Sequence, residues 1–127
     1  MEKPFFTIAV DQGEEDHIAA LYLENPQAEY TILYSHGNAE DLGHLYPLLE
    51  QYRNHGFAVF AYDYRGYGHS SGKTSEQKTY ADIKSAYQYL NQEIGVPSDQ
   101  IIALDIYHGV LRAISSNSKY NVSVTTF

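Results

Sequence analysis

The chain has no cysteine and no tryptophan, a single methionine, four prolines and only 8 lysines and arginines. Without cysteine, disulfides, thiol nucleophiles, cysteine-ligated zinc and palmitoylated anchors are excluded together. The 8 basic residues face 16 acidic ones, which leaves a net charge of −8. Such a surface repels phosphate backbones and disfavours nucleic acid or an anionic membrane as a partner. No apolar run approaches the roughly 18 residues that a transmembrane span needs. The opening MEKPFFTIAV lacks a basic segment followed by a long apolar run, so a signal peptide is not expected. These absences make a cytoplasmic location the expectation.

What is present suits one folded domain. The 127 residues are 43% hydrophobic and 19% charged, and the aromatics are 13 Tyr and 5 Phe. A chain of this size can bury a working core. Tyrosine in such number suggests buried rings whose hydroxyls find partners at the edge of the core.

Five short apolar runs read as strands: FFTIAV (5–10), HIAALYL (17–23), YTILYSH (30–36), FAVFAYD (57–63) and QIIALDI (100–106). The acidic, Gly-containing DQGEED between the first two predicts a hairpin. Two helical stretches separate the later runs. Leu42, Leu45, Tyr46, Leu49 and Tyr52 fall at helical spacing, with Gly56 as a stop. Pro47 belongs in a first turn, so the regular helix is expected to begin near Tyr46. Tyr80, Ile83, Tyr87, Leu90 and Ile94 form a second stripe, opened by a capping box at Thr74-x-x-Gln77 and closed by Gly95 and Pro97. Continuous apolar strands alternating with helices point to an α/β fold with a parallel βαβαβ sheet after the hairpin. From Asp105 the chain turns Ser/Thr/Asn-rich and is expected to be an irregular tail, with YNVSV (120–124) as a weak edge strand.

Two loops could carry chemistry. In LYSHGNAEDLG (33–43) a strand delivers His36-Gly37-Asn38-Ala39 ahead of a helix. Backbone N–H groups there could bind an anion or oxyanion, or the segment could be an ordinary strand-to-helix turn with an Asn cap. In YDYRGYGHSSGKTSE (62–76) another strand enters a glycine-rich loop. Its Gly72-Lys73-Thr74 suggests a phosphate loop, but the first glycine of G-x-x-x-x-G-K-[ST] falls on Tyr67, and Gly66 and Gly68 each miss by one. The 6 His form no H-x-x-x-H or H-E-x-x-H pair, so no metal site and no cofactor is expected. His17, His44 and His55 read as solvated or capping groups, and Ser35 and Ser70 as polar strand-end or loop residues.

HGNAEDLG, YDYRGYGHSSG, SEQKTYADIKSAYQYL and GVPSDQIIAL stand in this order over about residues 5–104. The chain thereby resembles the N-terminal half of the α/β-hydrolase superfamily, in the abhydrolase-domain subgroup that includes palmitoyl-protein thioesterases. The resemblance implies serine-hydrolase chemistry on an acyl ester or acyl-protein substrate. It also implies an oxyanion hole at the N–H of Asn38 or Ala39, and a pocket-shaping loop that begins at Asp63 and includes Arg65, Gly66 and Gly68. His36 and Gly37 lead into the first of these loops.

The nucleophile elbow of that family, G-x-S-x-G, falls on Asp105-Ile106-Tyr107-His108-Gly109, where only Gly109 fits. A tyrosine in the strained elbow conformation costs on the order of 1–3 kcal/mol before any clash. With a pKa near ~10, its phenol is a poor acyl acceptor at neutral pH. No elbow is therefore expected at Tyr107. Only 18 residues follow Gly109, too few for the acid and the histidine of a Ser…Asp/Glu…His triad.

Three readings are open at this stage. Residues 1–104 are half of a hydrolase domain and 105–127 a divergent, out-of-frame tail, which makes the chain inactive as written. Alternatively the chain is a non-catalytic interaction module, with self-association through the exposed edge of strand 100–106. The third is a nucleotide binder through Gly72-Lys73-Thr74.

Overall fold

The computed structural model describes residues 5–10, 16–36, 42–64, 76–107, 110–115 and 124–126. β1 (Phe5–Ala9) and β2 (His17–Leu23) form the expected hairpin, with Phe5 opposite Leu21 and Ala9 opposite His17. β2 lies antiparallel to β4 (Ala58–Asp63), which runs parallel to β3 (Thr31–His36). On its other side β3 is parallel to β5 (Ile101–Tyr107). With β6 (Val110–Ser115) and β7 (Val124–Thr126), the sheet order is β1-β2-β4-β3-β5-β6-β7.

The apolar runs are nearly continuous because both faces of the central strands are covered. Helix α1 (Leu42–Asn54) packs Leu45 and Leu49 against Ile32, Tyr34, Val59 and Ala61. Helix α2 (Glu76–Gln88), continued by a π-helical turn over Tyr89–Ile94, packs Ala86 and Leu90 against Leu33, Phe60 and Tyr62. Alternate residues of β3 and β4 thus feed opposite layers, as the two-residue repeat of a strand requires. The tyrosine-rich composition has a direct use on the α2 side. Phe60 lies with its ring centroid 5.9 Å from Phe6, 6.3 Å from Tyr22 and 6.0 Å from Tyr89, a cluster whose tilted and edge-on geometries suit aromatic quadrupoles.

Both helices end on a glycine with positive φ. Gly56 has φ 102°, and its N–H bonds the Arg53 carbonyl at 3.0 Å while the Phe57 N–H bonds that of Tyr52 at 3.3 Å. This is a Schellman closure, which disposes of carbonyls that the helix leaves unpaired. At Gly95 (φ 92°), the N–H groups of Gly95 and Val96 both reach the Leu90 carbonyl at 3.1 Å. Asn25 fastens the β2–β3 turn to the end of α1, donating from Nδ2 to the carbonyls of Arg53 (3.3 Å) and Phe57 (3.5 Å).

The structure departs from the sequence expectations at four places. Helix α1 begins at Leu42, not near Tyr46, and keeps Pro47 inside it. Pro47 is on the exposed side, so the helix loses one hydrogen bond facing solvent while burial of Leu45 and Leu49 holds it against the sheet. On the second helical stretch Leu90 is buried and Ile83, Tyr87 and Ile94 pack against the same core as expected, but Tyr80 is 65% exposed and the buried positions include Asp82 and Ala86. The helix turns the small Ala86 to the sheet and leaves Tyr80 largely in water.

The tail expected to be irregular supplies two strands. β6 pairs antiparallel with β5 from Ile102 opposite Ser115 to Tyr107 opposite Val110, and β7 pairs with β6. Of the expected strand at 120–124 only Val124 lies among the described residues, where it opens β7. Strand 100–106 consequently has no exposed edge, because β3 and β6 satisfy its two sides. The sheet's outer strands are β1 and β7.

Candidate functional site at the carboxyl ends of the central strands

The last residues of three parallel strands are held level by pairing. His36 stands opposite Asp63 in β4 and opposite Ile106 in β5. The three segments singled out in the sequence therefore leave the same end of the sheet side by side: the stretch after His36, the stretch after Asp63 and the position of Tyr107. β3 is also where the winding changes direction. The chain passes from β3 through α1 to β4 on one side, then through α2 to β5 on the other. The two helices cover opposite faces. Such a switch point opens a crevice beyond the carboxyl ends of the strands, which is where α/β sheets bind ligands.

Among the site residues expected from the sequence, His36 ends β3 and Asp63 ends β4. Asp63 is fully buried, as is Asp82 on α2, and neither is without an interaction partner. Tyr107 ends β5, in regular antiparallel pairing with Val110. Gly37, Asn38 and Ala39, then Arg65, Gly66 and Gly68, and also Gly72, Lys73 and Thr74, lie outside the described residues. His44 and His55 are exposed, and Nδ1–H of His55 donates to the Gln51 carbonyl at 2.7 Å in the last turn of α1, a capping role. Among the described residues no group of three or more His, Asp or Glu could hold a metal ion, and no helix is long and apolar enough to cross a membrane.

The structure adds a feature that reading by runs and loops passes over. Ser35 and Tyr62 are both completely buried, stand opposite each other across β3 and β4, and join through a 2.7 Å hydrogen bond from Ser35 Oγ to Tyr62 Oη. The signal available in the sequence was positional. Each strand carries a polar residue immediately before the residue that opens its loop, and buried polar atoms at matching positions tend to pair. Tyr62 also packs edge-on against the buried ring of Tyr64, with centroids 5.4 Å apart and planes at 82°.

A hairpin and a parallel βαβαβ wound about β3 define an α/β-hydrolase scaffold. The chain belongs to the α/β-hydrolase family described as serine aminopeptidase, S33, whose model matches residues 26–98. It is 40% identical over 99 residues to the α/β hydrolase domain-containing protein aho-3 of Caenorhabditis elegans, covering 77% of this chain and 30% of that protein. To human α/β hydrolase domain-containing protein 17C it is 43% identical over 98 residues, covering 75% of this chain and 29% of the relative. It thus spans about 30% of the length of these curated relatives. Among solved structures, the esterase Pf2001 of Pyrococcus furiosus superposes with a TM-score of 0.67 at 21% identity, over 83% of this chain and 42% of that one. An α/β hydrolase of Vibrio vulnificus gives 0.60 at 22% identity, over 78% and 34%. These two likenesses concern the fold.

Proposed function

We propose that this chain is the oxyanion-bearing front part of a serine hydrolase of the esterase or thioesterase type, and that its 127 residues do not turn over acyl substrates by themselves. The observation that carries the proposal is the level alignment of His36, Asp63 and Ile106 at the switch point. It supports an anion-binding role for the N–H groups of Asn38 and Ala39, next to the strand from which a nucleophile would be presented. The expected substrate of a longer form with an intact elbow is an acyl ester or an acyl-protein thioester. In this chain the elbow position carries Tyr107, and β5 runs on into β6.

The test pairs two measurements on the purified chain. Inorganic phosphate, as a simple oxyanion, is titrated into ¹⁵N-labelled protein, and saturable shifts are expected at the amides of Gly37, Asn38 and Ala39. A fluorophosphonate, which labels activated serines, is expected to leave the chain unmodified. Shifts spread over the surface, or none, would remove the oxyanion site, and stoichiometric labelling would remove the inactive reading.

A further inference from the structure

We propose that Ser35 and Tyr62 are positioning residues, a buried hydroxyl latch that sets how the two loops of the candidate site leave the sheet. The proposal rests on the reading of that sheet end as the functional one.

Burial makes the pair informative. Two residues earlier on the same face, the opposed pair is Leu33 and Phe60, both fully buried and apolar. An apolar pair at 35 and 62 would continue that layer with no hydroxyls to desolvate. Buried hydroxyls cost free energy unless they bond each other, so their net gain is small, but they discriminate sharply between registers. A slip of one residue would turn Ser35 to the α1 face and set Tyr62 opposite Tyr34 or His36 in its place. The hydrogen bond therefore penalises misalignment at the last pair before His36 and Asp63.

The latch also reaches beyond the strand. Through its edge-on contact with Tyr64, the Tyr62 ring touches the residue that follows β4 and precedes Arg65. One side chain thereby links the strand leading to His36-Gly37 with the start of the DYRGYG segment. Tyr62→Phe removes the hydroxyl and keeps the ring against Tyr64, so it isolates the hydrogen bond. Ser35→Ala removes the other partner, and Ser35→Thr restores a hydroxyl with a side chain well suited to a strand.

The experiment is native-state amide exchange on the ¹⁵N-labelled chain and these three variants, with thermal melts alongside. In Ser35→Ala and Tyr62→Phe the amides of His36, Asp63 and Tyr64 should exchange about fivefold faster, the factor that one neutral hydrogen bond supplies. Amides of α1 from Leu45 to Tyr52 should be unchanged, and Ser35→Thr should return to the parent pattern. A uniform acceleration at all amides with a lowered melting temperature would make the pair ordinary core and overturn the latch, as would no change at all. Phosphate titration of the parent chain separates the two ideas. Absence of shifts at 37–39 together with localised acceleration counts against the site reading and leaves the latch standing. Phosphate binding without localised acceleration overturns the latch alone.

Discussion

Tyr107 stands opposite Val110 in an antiparallel pair, with only His108 and Gly109 between them in the chain. The strand on which the resemblance would place a nucleophile is thus followed at once by a return strand. A serine elbow instead needs a sharp turn into a helix. β6 then occupies the side of β5 that would otherwise offer a row of unpaired N–H and C=O groups.

That arrangement predicts how the chain behaves when β6 is disturbed. Successive N–H groups of an antiparallel strand point to opposite neighbours, so of two prolines placed singly at Leu111 and Arg112, one removes a bond to β5 and the other a bond to β7. The variant that breaks the β5 bond should associate in a concentration-dependent way, measured by light scattering, because it opens a central strand. The other should stay close to the parent. Identical behaviour of both variants and the parent would show that β6 does not protect β5.

Gly56 offers a test of backbone conformation free of packing. Its φ is 102°, and a Cβ built there meets nothing within 4 Å. Gly56→Ala should lower stability by about 1–2 kcal/mol through the left-handed conformation alone. Gly56→Asn should cost less, because asparagine tolerates that region. The readout is the urea midpoint at constant m-value. An alanine variant as stable as the parent would mean that the Schellman closure is not held in solution.

Alkaline pH should weaken the fold in a way traceable to two phenols. Burial raises the pKa of Tyr22 above its ordinary 10.0, with the Glu24 carboxylate adding to it, and burial likewise raises that of Tyr52. The unfolded chain then ionises first, so the folded state binds more protons as pH climbs and its stability falls. The contribution is complete below the unfolded value of about 10 and is lost as pH rises through the folded values. Denaturation midpoints should drop above about pH 10, and Tyr22→Phe/Tyr52→Phe should drop less. An equal drop in that double variant would assign the alkaline loss to other groups.

Much of this architecture was legible because local signals and burial agree. The acidic loop marked the β1–β2 hairpin, and the apolar runs at 30–36, 57–63 and 100–106 marked strands covered on both faces. Gly56 and Gly95 marked both helix ends. Legibility failed where tertiary context decides between local alternatives. Pro47 signalled a first turn, yet packing of Leu45 and Leu49 carries the helix one turn earlier. The second stripe held at Ile83, Tyr87, Leu90 and Ile94 but failed at Tyr80, because the helix buries Asp82 and the small Ala86 instead. The segment that pairs with β5 is the largely apolar VLRAIS of β6, a run hidden when residues 105–127 are read together as Ser/Thr/Asn-rich. The Ser35–Tyr62 bond joins residues 27 apart in sequence, and only the β3–β4 register brings them together. His36 and Asp63 were legible as loop openers, while their level alignment is a property of strand pairing.

The absence of an elbow can be tested by rebuilding its sequence. Asp105→Gly with Tyr107→Ser restores the full G-x-S-x-G spacing over residues 105–109. A nucleophilic serine needs more than that spacing. It needs a strained turn before a helix, a base within hydrogen-bond reach and oxyanion donors about 3 Å from the reacting atom. In this chain residue 107 belongs to a regular strand paired with Val110, so the new hydroxyl is held in extended backbone. The double variant should remain unlabelled by a fluorophosphonate and give no ester hydrolysis above the parent. Its stability should fall, since a glycine in place of Asp105 loosens the middle of β5 by about 0.5–1 kcal/mol. Labelling at residue 107 would show that β5 can leave its pairing with β6 and adopt the elbow turn, and the chain would then retain more of the hydrolase machinery than its hairpin allows.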